Sequence, residues 1–335
     1  MPALAVGQAF RAEHPEGQIL MVGKAGGPEE RLVPAAGLAL ETVPIRGLDR
    51  DAAWKNLALP AVVPMAMRRG LRILDSFHPD VVLGMGGYAM APAVWAARRR
   101  HVPYVLHEKD VRPGLATRLF AAGATVVCTT LPGTESRLPA RVRTELTGIP
   151  LRAGFARRTP VIPPRVLLVT GGSQGARRLN QAVWEVLPEL LQRFDSVIHL
   201  AGRQGAAEVE RVVAELPGYR GLAFTDDMAA LMAEADLVVS RAGVGTIGEV
   251  SAVGLPMILV PGTFGGAHQE LNAQAVMAAG AAASVPDAEF TGRRLLAELD
   301  GLDAERLRAM SAASSALGRP DADRRVLRVV EQVAS

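Results

Sequence analysis

Short runs of apolar and β-branched residues recur along the chain, each followed by a turn and then by apolar residues at helical spacing. The runs at 18–22, 80–83, 102–106, 166–169, 196–200, 237–239 and 257–260 barely alternate between apolar and polar. A strand with one wet face alternates, whereas a strand covered on both faces does not, so these runs predict parallel sheets. After the run at 166–169, Leu179, Val183, Leu187 and Leu190 fall at helical spacing and predict an amphipathic helix. Strand and helix signals alternate over almost the whole length, which is the pattern of an α/β fold.

Two segments read as one unit used twice. Residues 79–108, "PDVVLGMGGYAMAPAVWAARRRHVPYVLHE", and 235–261, "ADLVVSRAGVGTIGEVSAVGLPMILVP", each give Asp, a short strand, a Gly-rich turn, a helix and an X-Pro entry to the next strand. The repeat predicts two doubly wound domains. The Pro- and Arg-rich stretch 147–165 lacks periodicity, and the boundary is expected there, with domains at 1–152 and 153–335. In such domains ligands bind beyond the carboxyl ends of the strands, here in a cleft between the two. A domain of this kind opens on a strand and a Gly-rich turn. Residues 1–17 instead read as a helix through Leu4, Val6 and Phe10, so the first domain is expected to lack its opening strand.

Composition narrows the reading. The 335 residues are 49% apolar and 21% charged, enough for two ordinary cores. A net charge of +3 is too small to indicate nucleic acid, so any basic effect is local. The single cysteine, Cys128, excludes an internal disulfide or a cysteine metal cluster, and its apolar neighbours predict a buried thiol. No apolar run reaches the ~20 residues of a membrane span, and no signal peptide is evident, so an intracellular protein is expected.

Polar groups cluster where the strands end. In "GGSQG" (171–175) a strand stops at glycines just before a helix, an arrangement that serves either a phosphate group or a tight turn alone. In "SRAGVGTIGE" Gly243, Gly245 and Thr246 form a second such turn. Glu249, one turn into the helix, suits either a ribose diol or the helix dipole. His268, Gln269 and Asn272 gather after the strand that ends near Val260. In the first half, "GMGGY" and "LHEKDVRPG" place Tyr88, His107, Glu108 and Asp110 at successive strand ends. Glu108 and Asp110 are acid–base candidates or solvated loop charges; His107, on the opposite strand face, does not act with Glu108. Residues 55–73 set Lys55, Arg68, Arg69 and Arg72 beside apolar positions, as in an interfacial helix or an ordinary core helix.

Taken in order, "PDVVLGMGGY", "PYVLHEKD", "TGIPLR", "GGSQGARRLN", "FTDDM", "RAGVGTIGE", "GLPMILVP" and "HQELNA" closely resemble the MurG family of peptidoglycan glycosyltransferases, from Pro2 to the C-terminus. The resemblance implies the GT-B fold, two Rossmann-like domains facing a central cleft, and a hexosyltransferase. The implied reaction is inverting transfer of N-acetylglucosamine from UDP-GlcNAc to the muramyl 4-hydroxyl of lipid I, giving lipid II. It implies a protein peripheral to the cytoplasmic face of the cell membrane, with no cofactor, metal or nucleic acid. By the resemblance, Gly172, Ser173, Gln174 and Gly175 form the donor-diphosphate loop, and Arg152 is a cleft arginine near the donor. Met228 lies by the uracil, Gly245 and Thr246 near the α-phosphate, Glu249 on the ribose, and His268 and Gln269 beside the donor sugar.

The first domain resembles the lipid I side, lined by Tyr88, Glu108 and Asp110, with the membrane patch near 55–73 and the last helix packing back on this domain. Two departures matter. The family has "HEQN" where this chain has "HEKD", which changes the contacts at Asp110. The family's N-terminal strand and "GGTGGH" turn, with its histidine base candidate, precede the position of Pro2 and have no counterpart in these residues. Glu108 is then the base candidate that remains. The alternatives are a GT-B enzyme with another lipid or small acceptor, and a noncatalytic UDP-sugar-binding paralogue.

Overall fold

The apolar runs become strands wherever helices cover both of their faces. The computed structural model describes residues 2–47, 59–172, 174–213, 216–263 and 268–334. It divides into two compact units, Met1–Arg152 with Asp321–Ser335, and Ala153–Pro320. Residues 321–335 thus count with the first unit rather than with the second.

The first unit begins with α1 (Pro2–Glu13), β1 (Leu20–Lys24), α2 (Glu29–Ala35), β2 (Ala39–Val43) and α3 (Leu59–Phe77). It continues through β3 (Val82–Gly84), α4 (Ala91–Arg100), β4 (Tyr104–Glu108), α5 (Leu115–Phe120), β5 (Val126–Thr129) and β6 (Thr144–Leu146). The described strands pair in parallel but in two sheets, β1-β2 and β3-β4-β5-β6. Interior strands β4 and β5 are buried along their whole length, whereas β1 and β3 are mostly half-buried. The first strand starts two residues later than its apolar run: Gln18 and Ile19 lie in the irregular link between the turn after α1 and β1.

The second unit runs β7 (Val166–Thr170), α6 (Arg177–Glu185), α7 (Leu187–Arg193), β8 (Ser196–Leu200), α8 (Ala206–Val213), β9 (Tyr219–Leu222) and α9 (Met228–Glu234). Then follow β10 (Leu237–Ser240), α10 (Val244–Val253), β11 (Met257–Leu259), α11 (His268–Ala278), β12 (Ala282–Ser284), α12 (Gly292–Asp300) and α13 (Ala304–Leu317). Its six strands form one parallel sheet in the order β12-β11-β10-β7-β8-β9. The helix predicted after β7 is two helices. Pro188 has no N–H to offer residue 184 and its ring crowds that turn, so the segment breaks at Val186. Leu179, Val183, Leu187 and Leu190 nonetheless all reach one core.

The last helix, α14 (Ala322–Ala334), packs with α1 over the β3–β6 sheet. Val326, Leu327 and Val329 meet Val6, Val105, Val126 and Cys128 there. Among the described residues no helix is long and apolar enough to cross a membrane.

Both repeats fold as β-α-β, β3-α4-β4 and β10-α10-β11, with parallel strands. Each helix stops at a left-handed residue followed by X-Pro: Gly254 (φ 91°) after α10, and His101 (φ 59°) after α4. The opening aspartates differ. Asp80 is exposed, whereas Asp236 is 2% exposed and accepts four hydrogen bonds. These come from Arg158 Nη2 (2.6 Å) and from the backbone N–H groups of Val161, Arg165 and Val166 (2.9–3.1 Å). One carboxylate therefore fastens the segment leading into β7. Replacing it removes the acceptor from a half-buried guanidinium and from three backbone N–H groups at once. Asp236→Ala should lower the stability of the second unit by about 3–5 kcal/mol in urea unfolding; a loss under about 1 kcal/mol would show that water replaces the carboxylate. Cys128 is fully buried and its thiol is pushed up to about 12, chiefly by desolvation. A thiol reagent at pH 8 should therefore label it only after denaturation.

Candidate functional site

In the second unit, successive strands β7-β8-β9 step one way across the sheet and β10-β11-β12 the other, so the order reverses between β7 and β10. The two Gly-rich turns follow those two neighbouring strands and lie at the same edge. Each leads into a helix whose N-cap makes no side-chain hydrogen bond: Ala176 before α6 and Gly243 before α10. Two N-terminal helix dipoles thus face one crevice, which favours a group of negative charge.

The glycines divide by what surrounds them. A Cβ on Gly171 would meet the Ala176 nitrogen at 2.5 Å, and one on Gly175 the Ala201 oxygen at 2.2 Å; these two make the turn compact. Among the described residues a Cβ on Gly172 (φ 82°), Gly243 or Gly245 would meet nothing within 4 Å. Packing explains the first pair and not these three, which leave the backbone approachable from outside. Ser173 lies outside the described residues, and Gln174 is exposed beside it. Thr246 and Glu249 follow on the first turns of α10, both half-buried. Met228, also half-buried, opens α9, where Asp227 caps the helix by accepting from the Ala230 N–H at 2.9 Å.

The third predicted cluster sits at the start of α11. Gln269 Oε1 accepts from the Gly262 N–H (2.8 Å) and Asn272 Nδ2 donates to the Ala242 carbonyl (3.3 Å), so α11 braces the loops after β11 and β10. His268 is half-buried, with a buried Nδ1 that has no partner among the described residues. A groove of about 450 Å³ runs along α6, lined by residues that include Arg177, Gln181, Trp184 and Gln204; none of the predicted donor residues lines it. Among the described residues no group of three His, Cys, Asp or Glu side chains could hold a metal ion.

Sequence reasoning missed Arg241 and Asp287. Arg241 Nη1 donates to the Val260 carbonyl and to Asp287, and Arg178 on α6 reaches the same carboxylate and the Ala288 carbonyl. Asp287 thereby ties α6 to the turn after β10. The only signal was an arginine between the end of a strand and its glycine turn.

In the first unit Glu108 is 3% exposed, and both of its oxygens are engaged: Oε1 accepts from the Asp110 N–H (3.2 Å) and Oε2 from the Gly114 N–H (3.0 Å). Asp110 pairs with Lys109. Tyr88 is 42% exposed, on the short turn before α4, with its ring against Gly47. Arg152, the last residue of this unit before the division, is exposed. His107 points away from Glu108, as the strand period requires, and bonds the Gly148 carbonyl at 2.9 Å. Residues 55–58 lie outside the described residues. The rest of the 55–73 stretch lies on α3, which buries Ala66, Gly70, Ile73 and Leu74 and exposes Met65, Arg68 and Arg72.

The glycosyltransferase family 28 N-terminal domain matches residues 1–129, and the family's C-terminal domain matches residues 166–326. A relative from Desulforudis audaxviator is 38% identical over 99% of this chain and 95% of its own length. It is named a UDP-N-acetylglucosamine--N-acetylmuramyl-(pentapeptide) pyrophosphoryl-undecaprenol N-acetylglucosamine transferase. A relative of the same name from a Nocardioides species is 40% identical over 98% of this chain and 93% of its own. The crystal structure of Acinetobacter baumannii MurG superposes with a TM-score of 0.78 at 26% identity, covering 99% of this chain and 95% of that one.

The two buried histidines give a pH dependence. Desolvation lowers His107 to about 4 and His199 to about 3, from an ordinary value of 6.5. Between those values and 6.5 the unfolded chain holds more protons than the folded one, so stability rises with pH through that window and is lost on acidification. From pH 7 to pH 5 each unit should lose on the order of 2 kcal/mol in urea unfolding. Equal midpoints at the two pH values would mean that the imidazoles do not titrate with unfolding.

Proposed function

We propose a reaction for this chain from one premise: it belongs to glycosyltransferase family 28, with the MurG enzymes. The reaction is transfer of N-acetylglucosamine from UDP-GlcNAc to the muramyl 4-hydroxyl of lipid I, with inversion at the anomeric carbon, giving lipid II. The observation that carries it is the pair of uncapped, glycine-led helix starts on adjacent strands β7 and β10, with three glycines open to a ligand.

The donor occupies the second unit. Its diphosphate lies over the turns at 171–175 and 243–246, its ribose diol on Glu249 and its uracil beside Met228. His268 and Gln269 sit by the sugar. As the bond to the sugar breaks, negative charge grows on UDP. The two helix starts are already oriented toward that charge, so they stabilise the transition state more than the bound donor; one such donor group is worth about 3 kcal/mol.

The acceptor takes the first unit, with Tyr88 and Asp110 on its side of the reaction. Glu108 has two roles open to it: base for the 4-hydroxyl, or brace of the 109–114 loop. Its two backbone N–H contacts favour the brace.

Membrane contact is assigned to α3 and α5, which both pack on α4. They expose Met65 (54%), Leu115 (57%) and Leu119 (61%) among Arg68, Arg72 and Arg118. Apolar tips among cations suit an anionic bilayer surface, and we assign its cytoplasmic face.

Transfer of labelled N-acetylglucosamine to a lipid I analogue tests the reaction, with this chain beside a version that adds the family's N-terminal strand and turn. Transfer by the extended version and UDP-GlcNAc binding by both are expected. Binding without transfer in either would leave a UDP-sugar-binding protein. Glu108→Gln should cost less than about tenfold in kcat for a brace, whereas a base would cost about a hundredfold or more. In flotation with phosphatidylglycerol vesicles, Met65→Glu with Leu119→Glu should reduce the bound fraction at least about fivefold; unchanged flotation would remove these helices from the membrane contact.

A further inference from the structure

Under the Gly-rich turn of the second unit runs a line of side chains for which the reaction supplies no role: Asn180 and Trp184 on α6, His199 on β8 and Tyr219 on β9. The direction of each hydrogen bond in it follows from the one before. The Ala201 carbonyl only accepts, so the Asn180 group 2.7 Å from it is the donating Nδ2, which turns Oδ1 toward His199. Oδ1 only accepts, so His199 Nε2, at 3.1 Å, carries the proton. His199 is fully buried, and desolvation keeps it neutral, so its Nδ1 is bare. The Tyr219 hydroxyl therefore donates to Nδ1 (3.0 Å), and its oxygen accepts from Trp184 Nε1 (2.9 Å). The line runs unbroken from an indole N–H to a backbone carbonyl.

That carbonyl is where the Gly-rich turn rests. Gly175 and Gly202 both have positive φ, 83° and 78°. A Cβ on Gly175 would lie 2.2 Å from the Ala201 oxygen, and one on Gly202 would lie 2.1 Å from the Gly175 nitrogen. Backbone meets backbone with no side chain between to absorb a shift. A displacement of Ala201 is therefore passed to the turn. An apolar contact in the same place would tolerate sliding; a fully satisfied hydrogen-bonded line has one length.

We infer that Asn180 is a positioning residue for the donor diphosphate: anchored through His199, Tyr219 and Trp184, it holds Ala201 against Gly175 and so sets the height of the Gly-rich turn over the start of α6. This rests on the reading of that turn as the diphosphate site. It also gives a role to the asparagine that ends the stretch "GGSQGARRLN", nine residues after its first glycine.

The test compares UDP with uridine, which lacks the diphosphate, by calorimetry on the full chain, together with melting temperatures. Asn180→Asp keeps the acceptor toward His199 and sets a second acceptor against the Ala201 carbonyl, so the last link fails. It should weaken UDP about tenfold or more, about the loss of one buried hydrogen bond, and leave uridine within about twofold. With the extended enzyme the KM for UDP-GlcNAc should rise while that for the lipid acceptor stays. Tyr219→Phe cuts the line at its far end and should give the same selectivity at about two- to threefold. If Asn180→Asp does not fold, the UDP-to-uridine ratio of Tyr219→Phe decides alone.

Equal weakening of UDP and uridine, or lowered melting temperature with neither affinity changed, would overturn the inference and leave the line as core packing. The reading of the turn itself fails in a different way: the unaltered chain would then bind UDP no more tightly than uridine.

Discussion

The parallel pairing of β7 with β10 is the contact on which the second unit depends. From that pair the chain winds outward in both directions, so no crossover helix closes over the edge where the two strands end. The glycine turns, the starts of α6 and α10 and the braces from α11 all converge there because strand order, not any one side chain, puts them there. Two helix starts side by side form a fixed field for an anion. Such a field costs no reorganisation when charge develops.

Carboxylates held by several donors keep that edge in register. Asp287 receives Arg241 from the turn after β10 and Arg178 from α6, and so links the two helix starts across the sheet. Asp236 fastens the incoming segment at the opposite end of β7 and β10. Each carboxylate is held by more than one donor, and that multiplicity makes the burial of Asp236 tolerable. The first unit reuses the β-α-β repeat with other ends. Its opening Asp80 is exposed, its α4 stops at a strained histidine rather than a glycine, and its strands split between β1-β2 and β3–β6. The paired repeats share a fold and not a set of roles.

Much of this was legible from the residues in order. Continuous runs such as 166–169 and 237–239 mark strands covered on both faces, and they became strands buried along nearly their whole length. The placement of Gly243 before a helix and Glu249 one turn into it is local geometry, and it held. Pro188 carried the break between α6 and α7 in plain view, but the apolar spacing across it, which serves one core, read as continuous. Illegible were the residues whose meaning is a distant partner. Arg241 meets Asp287 across 46 positions and Asn180 meets the Ala201 carbonyl across 21, and neither separation follows from any local period.

By itself, then, the order of residues determined the alternation of strands and helices, the two glycine turns, the carboxylate beside one of them and the resemblance to a glycosyltransferase family. Those features are written in short-range patterns: burial shows as composition, helix faces as spacing, tight turns as glycine. Only the tertiary structure decided that β7 and β10 are neighbours, which glycines serve packing and which stay open, that Asp236 clamps while Asp80 does not, and that Glu108 spends its oxygens on its own loop. These depend on which segments come within 3 Å of one another, and that follows from packing the whole chain at once.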